Sequence, residues 1–405
     1  MRPGQKSGVG PPPADLKILL YTDLTILPEE LFWHRDLGLL THALRSLGQD
    51  AWLVVHPGCK TPFEIENPPS KINKDPVIWA SPSDVRDPSW WQSHRPDLVI
   101  LGLWTRPKYD SIRRAALTAT CRVIERADSD GMRTASCGVR TYARRRYDYF
   151  RDRTFRWPSF LSVPASVLYS FASILATPWI ETRLRRTLRL LPALVVETPG
   201  AASLWQSLVQ RLRVKTRVHH IPHPVQTDLF RYRELVKEPR IVAVGRWQAY
   251  QKNLSLLLST LQTFLEQHAD WSALVVGTGL DRPQPHPRIN LLPKLTAARL
   301  AEEMKAARIF LFSSRYESFL LAGAEALVAG CSVVGPETLV ATQQLVEIQG
   351  CAPTACRRLM ENLEAEQQAW AEGKRDPSKI SQRACAEFSS QGVAQRLISL
   401  AGFSS

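Results

Sequence analysis

The sequence lacks the cysteine patterns of disulfide-rich secreted proteins and of zinc proteins. Its seven cysteines are an odd number and no two of them form a CxxC pair, which argues against a disulfide framework and against a cysteine zinc site. We therefore expect a reducing compartment and a cytoplasmic location. Residues 1–14 are rich in glycine and proline and contain no apolar segment, so they predict a disordered tail rather than a signal peptide.

Acidic residues are also scarce relative to basic ones. The chain has 52 lysines and arginines but only 38 aspartates and glutamates, which gives a formal net charge of +14. This excess favours anionic partners, which include nucleotide phosphates, nucleic acid and acidic membrane surfaces. With 405 residues, 44% of them hydrophobic and 22% charged, the chain is long enough for two or three soluble domains of about 150 residues, each with its own core.

Short apolar runs alternate with helical patterns in both halves of the chain. The runs predict buried strands, and the alternation predicts an α/β fold of two Rossmann-like, doubly wound domains that face each other across a cleft. The clearest runs are 16–21, 51–55, 97–101, 241–244, 273–276, 309–312 and 331–334. We expect a first domain over 15–225, a second over 226–385, and a terminal helix over 386–405, for which packing on the first domain is one arrangement.

A cluster with two cations follows the first predicted strand of the second domain. Gly245 allows the backbone to turn there, and Arg246 and Lys252 lie six residues apart on one strand–helix loop. Ligands of parallel sheets bind beyond the carboxyl ends of the strands, which is where this loop lies. The cations and the free N–H groups at the helix start suit a diphosphate. A solvated loop with two surface cations is the alternative.

A second cluster contains two glutamates eight residues apart. Glu317 lies in a predicted loop after a strand, and Glu325 lies about two turns further on, in the helix that follows. Carboxylates accept hydrogen bonds from sugar or ribose hydroxyls. Because Glu325 is surrounded by apolar residues of its helix, it requires a partner, which is either a ligand or a structural arginine.

The order of these motifs resembles one family. Gly-Arg-x5-Lys at 245–252, Gly-Thr-Gly at 277–279, Tyr-Glu-x7-Glu at 316–325 and Ala-Gly-Cys-Ser-Val-Val-Gly at 329–335 follow one another as in the group 1 family of retaining, nucleotide-sugar-dependent glycosyltransferases, which have the GT-B fold. The segment 220–225 and the helix 387–397 are also similar to that family. The resemblance is good over about 190–335 and weak in the N-terminal half.

The resemblance implies transfer of a sugar from a nucleotide-diphosphate donor in the second domain to an acceptor at the first, with retention and without a metal or another cofactor. Arg246, Lys252 and Glu317 would be catalytic, and the two cations would neutralise the diphosphate. Glu325 would bind the ribose hydroxyls, and Leu292 would flank the base. The other donor-binding residues implied are Gly245, Gly277, Ser318, Phe319 and Leu320. UDP and GDP sugars both fit, and we expect a glycan acceptor, lipid-linked or a polysaccharide precursor.

Several positions depart from the family pattern. The family usually has glycine at the place of Leu320, where backbone approaches the donor. Its first loop usually carries a Gly-Gly pair, whereas this sequence has His34 and Arg35 in that region. Its mid-domain histidine is replaced by a segment with Asp128 and Asp130, which either takes over a sugar-facing role or forms an Asp-rich turn that caps a helix. We treat these last four residues as acceptor-side candidates.

The segment 140–189 is basic at its ends and apolar in its middle. It has eleven arginines against three acids, and the 24 residues of 157–180 carry no charge. That length would span a bilayer, but three prolines interrupt it. Serines and large apolar residues form neighbouring helical stripes, and Trp157 and Trp179 bracket the run. The pattern predicts either a helix in an anionic membrane interface, peripheral on the cytoplasmic face, or a hairpin packed on the N-terminal sheet with the serines at a close helix contact.

Two other functions compete with glycosyl transfer. A catalytically degenerate GT-B protein that binds a membrane or a partner would explain Leu320 and the missing histidine, but the cations and glutamates of the motifs argue against it. Nucleic-acid binding would use Arg144–Arg146 and the aromatic residues beside them, as in proteins that bind single strands. We do not favour it, because no recognition module accompanies these residues.

Overall fold

The computed structural model describes residues 15–23, 36–56, 76–350 and 358–402. Two parallel sheets form its frame, and helices cover them, so the predicted α/β architecture is confirmed. The tail expected over 1–14 lies outside the described residues, as do the acceptor-side candidates His34 and Arg35.

The first sheet has seven strands in the order β3-β2-β1-β4-β5-β6-β7, and the second has five in the order β10-β9-β8-β11-β12. In chain order the strands are β1 (Lys17–Thr22), β2 (Asp50–Val55), β3 (Val77–Trp79), β4 (Leu98–Gly102), β5 (Val123–Ala127), β6 (Ala193–Val196), β7 (Arg217–His220), β8 (Glu238–Arg246), β9 (Ser272–Thr278), β10 (Ile289–Leu292), β11 (Ala307–Leu311) and β12 (Ser332–Val334). Every strand pair is parallel, so all carboxyl ends within a sheet lie at one edge.

The helices within the described residues are α1 (Asp36–Ser46), α2 (Pro88–His94), α3 (Asp110–Ala119), α4 (Val139–Arg153), α5 (Ser159–Leu175), α6 (Thr177–Leu188), α7 (Pro199–Leu212), α8 (Thr227–Phe230), α9 (Leu254–Gln267), α10 (Ala297–Ala306), α11 (Leu321–Val328), α12 (Val340–Gln349), α13 (Leu359–Ala371), α14 (Pro377–Phe388) and α15 (Ser390–Leu400). The apolar stripe that predicted a helix after residue 253 becomes the buried face of α9, through Leu254, Leu257, Leu258, Leu261 and Leu265.

The strands are buried on both faces, as expected of parallel sheets covered by helices. In β1, Leu19 and Tyr21 pack into one core, whereas Ile18 and Leu20 pack into the core on the other side. This period of two follows from the alternation of side chains along a strand. The continuous apolar run at the start of the ordered sequence therefore encodes a central strand.

The last two helices connect the two halves of the molecule. Helix α14 packs on α11 and α12 beside the second sheet, whereas α15 packs on α1. Val393, Leu397 and Ile398 of α15 are buried in the core of the first sheet. Close to this crossing, the Val225 N–H donates to the carbonyl of Phe388 at 2.9 Å. The chain thus passes between the two halves at two neighbouring places.

The basic, apolar segment forms α4, α5 and α6. Four serines of α5 are buried, and Ser170 Oγ donates to the carbonyl of Ala143 on α4 at 2.7 Å. The predicted close helix contact is therefore made, and α4 is the helix that makes it. Among the described residues, no single helix is long and apolar enough to cross a membrane; α5 and α6 meet the length and composition criteria only together, with a bend of 62° between them.

Candidate active site

The carboxyl ends of β8 and β9 form a close backbone contact that requires glycine. Gly245 and Gly277 are paired in register, and Gly277 has φ of +144°. A Cβ atom on Gly277 would lie 1.8 Å from the carbonyl oxygen of Gly245. Trp247 lies beneath this contact and donates through Nε1 to the carbonyl of Val276 at 2.9 Å. The two glycines therefore keep side chains away from the edge where a ligand of this sheet would bind.

Lys252 and Glu317 meet at this edge. The Lys252 Nζ lies 2.5 Å from Glu317 Oε1, and Ser314 Oγ donates to the same oxygen at 2.7 Å. The two charged side chains are 16% and 10% exposed, so they are shielded but reachable. Ser313 donates to the carbonyls of Lys252 and Asn253, which ties the loop of the lysine to the loop of the glutamate. The structure thus joins the two sequence clusters into one site.

Arg246 lies at the end of β8 with its side chain exposed. Within the described ranges it makes no side-chain hydrogen bond and no ion pair. Helix α9 begins shortly after, at Leu254, following a left-handed Asn253 with φ of +53°. An exposed arginine, a lysine and the amino end of a fourteen-residue helix on one loop provide positive potential for an anion.

Ser318, Phe319 and Leu320 form the entry to α11. Ser318 Oγ hydrogen-bonds the carboxylate of Asp128 on the first domain, so this loop reaches across the cleft. The ring of Phe319 stacks on His223, with centroids 5.7 Å apart. His223 also lies 3.6 Å from Asp36 and 3.9 Å from Glu197, measured between Nε2 and the carboxylate oxygens. Residues from both sides of the cleft therefore meet at the loop 318–320, which we call the donor loop.

Leu320 has the backbone conformation that glycine usually supplies. Its φ and ψ are +66° and +68°, in the left-handed region, and its side chain is buried beside Gly323. A left-handed conformation costs a side-chain-bearing residue about 1 to 2 kcal/mol. Burial of the leucine side chain, worth about 1.5 to 3 kcal/mol, offsets this cost. Leu320 therefore adopts a conformation that glycine would adopt without strain.

Two further donor-site candidates lie on neighbouring elements. Glu325 is in the second turn of α11, half-buried, and interacts with other groups of the protein. Leu292 ends β10, next to the end of β9. Helix α11 and strand β10 therefore place Glu325 and Leu292 near the carboxyl edge of the second sheet.

The opposite wall of the cleft holds a pair of carboxyl groups. Asp128 follows β5 and Glu197 follows β6, and these strands are paired with Ala127 opposite Val196. Burial, followed by the charge of Asp128, raises the pKa of Glu197 well above its ordinary value of 4.5, despite the nearby guanidinium of Arg126. Part of the Asp128 residue is exposed. The protein around its carboxyl group nevertheless excludes most of the water there, and this burial raises the pKa of Asp128. The pair therefore holds a proton to a higher pH than two isolated carboxyl groups would.

Asp130 does not share this surface. It is buried, and its carboxylate forms an ion pair with Arg145 of α4 at 2.5 Å. Asp128 and Asp130 form an Asp-x-Asp sequence, yet their carboxylates bind Ser318 and Arg145 respectively. In the part of the chain that the structure describes, no group of three or more His, Cys, Asp or Glu side chains is arranged to hold a metal ion.

Sequence reasoning assigned no role to Glu197, Arg126, Asp36 and His223. Arg126 is buried and donates to the carbonyl of Pro222 at 3.2 Å. The available signal for Glu197 was its position directly after a short apolar run, since residues that follow parallel strands line the ligand edge. Because the run 193–196 is not among the strands predicted from the sequence, Glu197 is not predicted to lie at a strand end.

A comparison with known protein families gives a match for part of the chain. Residues 238–365 match the family model of the glycosyl transferases group 1. The match covers about a third of the chain. It contains Gly245, Arg246, Lys252, Glu317 and Glu325, so the sequence clusters lie inside the matched residues. A comparison of the sequence with curated proteins gives no match.

Solved glycosyltransferases share the fold of the whole chain. Sucrose-phosphate synthase from Thermosynechococcus elongatus is 14% identical, with a TM-score of 0.58 over 95% of this chain and 98% of that one. HepE from Anabaena in complex with UDP-glucose is 12% identical, with a TM-score of 0.56 over 95% and 99%. WaaG, a glycosyltransferase of lipopolysaccharide biosynthesis, is 12% identical, with a TM-score of 0.53 over 94% and 99%. The expected GT-B fold is confirmed.

Proposed function

We propose that this glycosyltransferase moves a sugar from a nucleotide-diphosphate donor to a hydroxyl of a glycan acceptor, with retention of the anomeric configuration and without a metal ion. The observation that carries the proposal is the meeting of Lys252 and Glu317 at the carboxyl edge of the second sheet, 2.5 Å apart. In this arrangement a cation for the phosphates and a carboxylate for sugar hydroxyls lie side by side.

The donor would lie along the edge from β10 to β11. Arg246, Lys252 and the amino end of α9 would hold the diphosphate, and their positive charge would stabilise the negative charge that develops on the departing nucleotide. Because these groups supply the positive charge, the proposal needs no metal. Glu325 would accept hydrogen bonds from the ribose hydroxyls, and Leu292 would flank the base.

The sugar would lie between the two walls of the cleft. Glu317 and the backbone of 318–320 would bind it from the donor side, and Asp128 would face it or the acceptor from the other side. In a retaining transfer, the acceptor oxygen bonds to the anomeric carbon on the face from which the diphosphate leaves. The acceptor proton then goes to the departing diphosphate oxygen, so no protein base is needed.

The comparisons suggest which nucleotide to test first. HepE structures contain UDP-glucose, or UDP and glucose, and a pneumococcal O-GlcNAc transferase structure contains UDP and GlcNAc. These ligands belong to those proteins, and they support UDP as the first nucleotide to test here. WaaG acts in lipopolysaccharide biosynthesis, which supports a lipid-linked or polysaccharide-precursor glycan as the acceptor class.

A thermal-shift panel with UDP, GDP and ADP tests the donor site. A ligand at 100 times its Kd stabilises the native state by about 2.7 kcal/mol. We expect a shift with one nucleotide that is lost in Lys252→Ala and Glu325→Ala but kept in Lys294→Ala, which removes an exposed lysine of the same domain. A wild type that none of the three nucleotides shifts would contradict this donor site and favour a catalytically degenerate GT-B protein.

A further inference from the structure

Helix α5 has an inverted distribution of polar and apolar residues. Its serines are buried against α4, where Arg146 and Arg151 donate hydrogen bonds to Ser173 and Ser162. The face of α5 that points away from the protein carries large apolar side chains. Amphipathic helices of soluble proteins usually bury their apolar face, so this exposed face requires a partner.

The exposed apolar residues form one continuous surface, which we call the α5 face. Its members on α5 are 39% to 76% exposed, and two tryptophans at the ends of the segment are 53% and 60% exposed. They are Trp157, Phe160, Leu161, Val163, Val167, Leu168, Phe171, Leu175 and Trp179. Tryptophan at the borders of an apolar surface is typical of proteins that contact the membrane interface.

The charge around the α5 face has one sign. Eight arginines between 139 and 189 are exposed: Arg140, Arg144, Arg153, Arg156, Arg183, Arg185, Arg186 and Arg189. The three acids of the same segment are not exposed, and each has a partner: Asp148 binds Arg144, Asp152 accepts from the Gln251 N–H, and Glu181 binds Arg211. The segment therefore presents only positive charge to its surroundings.

This charge distribution decides between two occupants of the α5 face. A second copy of the chain, related by two-fold symmetry, would bring the same arginines against one another, which is repulsive. An anionic bilayer would neutralise them while its acyl chains cover the apolar side chains. We propose that the α5 face is a docking surface for an anionic lipid bilayer, on which α5 lies in the plane of the interface.

The docking surface is linked directly to the donor loops. Helix α4, which packs on the serine side of α5, also contacts the second domain. Its Asp148 accepts from the Tyr250 hydroxyl at 3.4 Å, and its Arg145 stacks on Tyr316, 3.8 Å from the ring centroid. These tyrosines flank Lys252 and Glu317 in the sequence. If the proposed function is correct, docking places the transfer site one helix layer from the lipid surface, where a lipid-linked acceptor lies.

Flotation with vesicles tests the docking directly and needs no substrate. The wild-type chain should float with vesicles of phosphatidylglycerol and phosphatidylcholine, and much less with phosphatidylcholine alone. Phe160→Ser/Leu168→Ser/Phe171→Ser should lower the partition coefficient more than about tenfold, because this variant removes apolar surface that the bilayer would bury. Arg185→Gln/Arg186→Gln/Arg189→Gln should lower it on the order of 100-fold for anionic vesicles, because each arginine contributes separately to anionic binding.

The matched control is Leu235→Ser/Val236→Ser, which changes two exposed apolar residues of the second domain and should leave flotation unchanged. The proposal is overturned if the wild type does not float, or if the α5 variant floats as well as the wild type. It is also overturned if the chain self-associates through this face in sedimentation experiments without binding vesicles. Nucleotide binding is measured separately, so either proposal can fail alone.

A second measurement keeps the test independent of the folding of the serine variant. Brominated lipids quench tryptophans that enter the bilayer. We expect quenching in the wild type that is largely lost in Trp157→Phe/Trp179→Phe, although ten other tryptophans remain of the twelve in the chain. Equal quenching in the wild type and this variant would place the contact elsewhere and contradict the proposal.

Discussion

The two walls of the cleft hold their charges in opposite ways. On the donor wall, Lys252 and Glu317 form an ion pair in which each charge stabilises the other. On the facing wall, burial raises the pKa values of both Asp128 and Glu197. The charge of Asp128 adds to the rise at Glu197. Under the proposed function, Lys252 would exchange its carboxylate partner for a phosphate, whereas the raised pKa values of the facing wall favour a bound proton or a hydroxyl donor. One cleft would then combine an anion site with a hydroxyl site.

The largest effect is expected from a change to the backbone of the donor wall. Gly277→Ala should cost more than about 4 kcal/mol in the free energy of unfolding or prevent folding, because the new Cβ would lie 1.8 Å from a carbonyl oxygen. Gly373→Ala is the matched control, since it also has positive φ but has open space around it, and it should cost only about 1 kcal/mol. Chemical denaturation measures both. Equal costs would show that the close strand contact does not shape the donor wall.

The next effect separates the two members of the ion pair. Lys252→Ala should weaken UDP binding by about 2 kcal/mol, roughly thirtyfold, because it removes a charge-assisted contact to phosphate. Glu317→Gln should leave UDP binding equal or tighter, because Lys252 is released, and should lower the rate of transfer. Isothermal titration measures the affinity for UDP, and a transfer assay measures the rate of transfer. Loss of UDP binding in both variants would mean that the pair acts only as structure.

The facing wall is tested through the pH dependence of stability. The pKa of Glu197 is raised in the folded state, so the folded protein holds its proton more tightly than the unfolded chain. Stability should therefore fall as the pH rises from about 4.5 through the raised pKa, by about 1.4 kcal/mol for each pH unit between the two pKa values. Glu197→Gln should remove this fall, and Glu361→Gln on exposed α13 surface should not. Parallel pH curves for the wild type and Glu197→Gln would contradict the raised pKa of Glu197.

The difference between the walls also explains what the sequence could predict. The donor wall is built from short loops in which glycine, cation and carboxylate follow their strand within a few residues, so a local pattern contains the whole site. Gly245, Lys252 and Glu317 could be found in this way. The facing wall depends on strand order: Asp128 and Glu197 are 69 positions apart in the chain, and only the pairing of β5 with β6 brings them together.

The fold was predictable where apolar runs were long and bounded. The runs at 16–21, 241–244 and 273–276 became β1, β8 and β9, and each contains four consecutive apolar residues followed by threonine or glycine. Strand β5 was missed because it contains Glu125 and Arg126. Strand β6 was missed although its sequence, Ala-Leu-Val-Val, is identical to the run at 273–276, so the same pattern predicts it. Glu125 is buried in an ion pair with Arg113 at 2.6 Å, a long-range compensation that no local pattern reveals.

The smallest effect concerns the left-handed residue at the entry to α11. Leu320 and Leu339 both precede a helix and are 6% and 8% exposed, but their φ values are +66° and −90°. Either leucine loses buried area when it is shortened. At position 320, glycine should be more stable than alanine by about 1 kcal/mol, because glycine tolerates positive φ. At position 339 the order should reverse, because glycine has the larger entropy in the unfolded chain.

Denaturant titration of Leu320→Gly, Leu320→Ala, Leu339→Gly and Leu339→Ala checks this reversal, and the same order at both positions would contradict the left-handed turn. The Leu320 pair also bears on the donor wall. Leu320→Gly gives this turn the residue that is usual in the family while its backbone shape is already present. We therefore expect UDP binding to persist in Leu320→Gly and in the wild type alike. Nucleotide binding that occurs only in the glycine variant would make Leu320 the cause of a degenerate site.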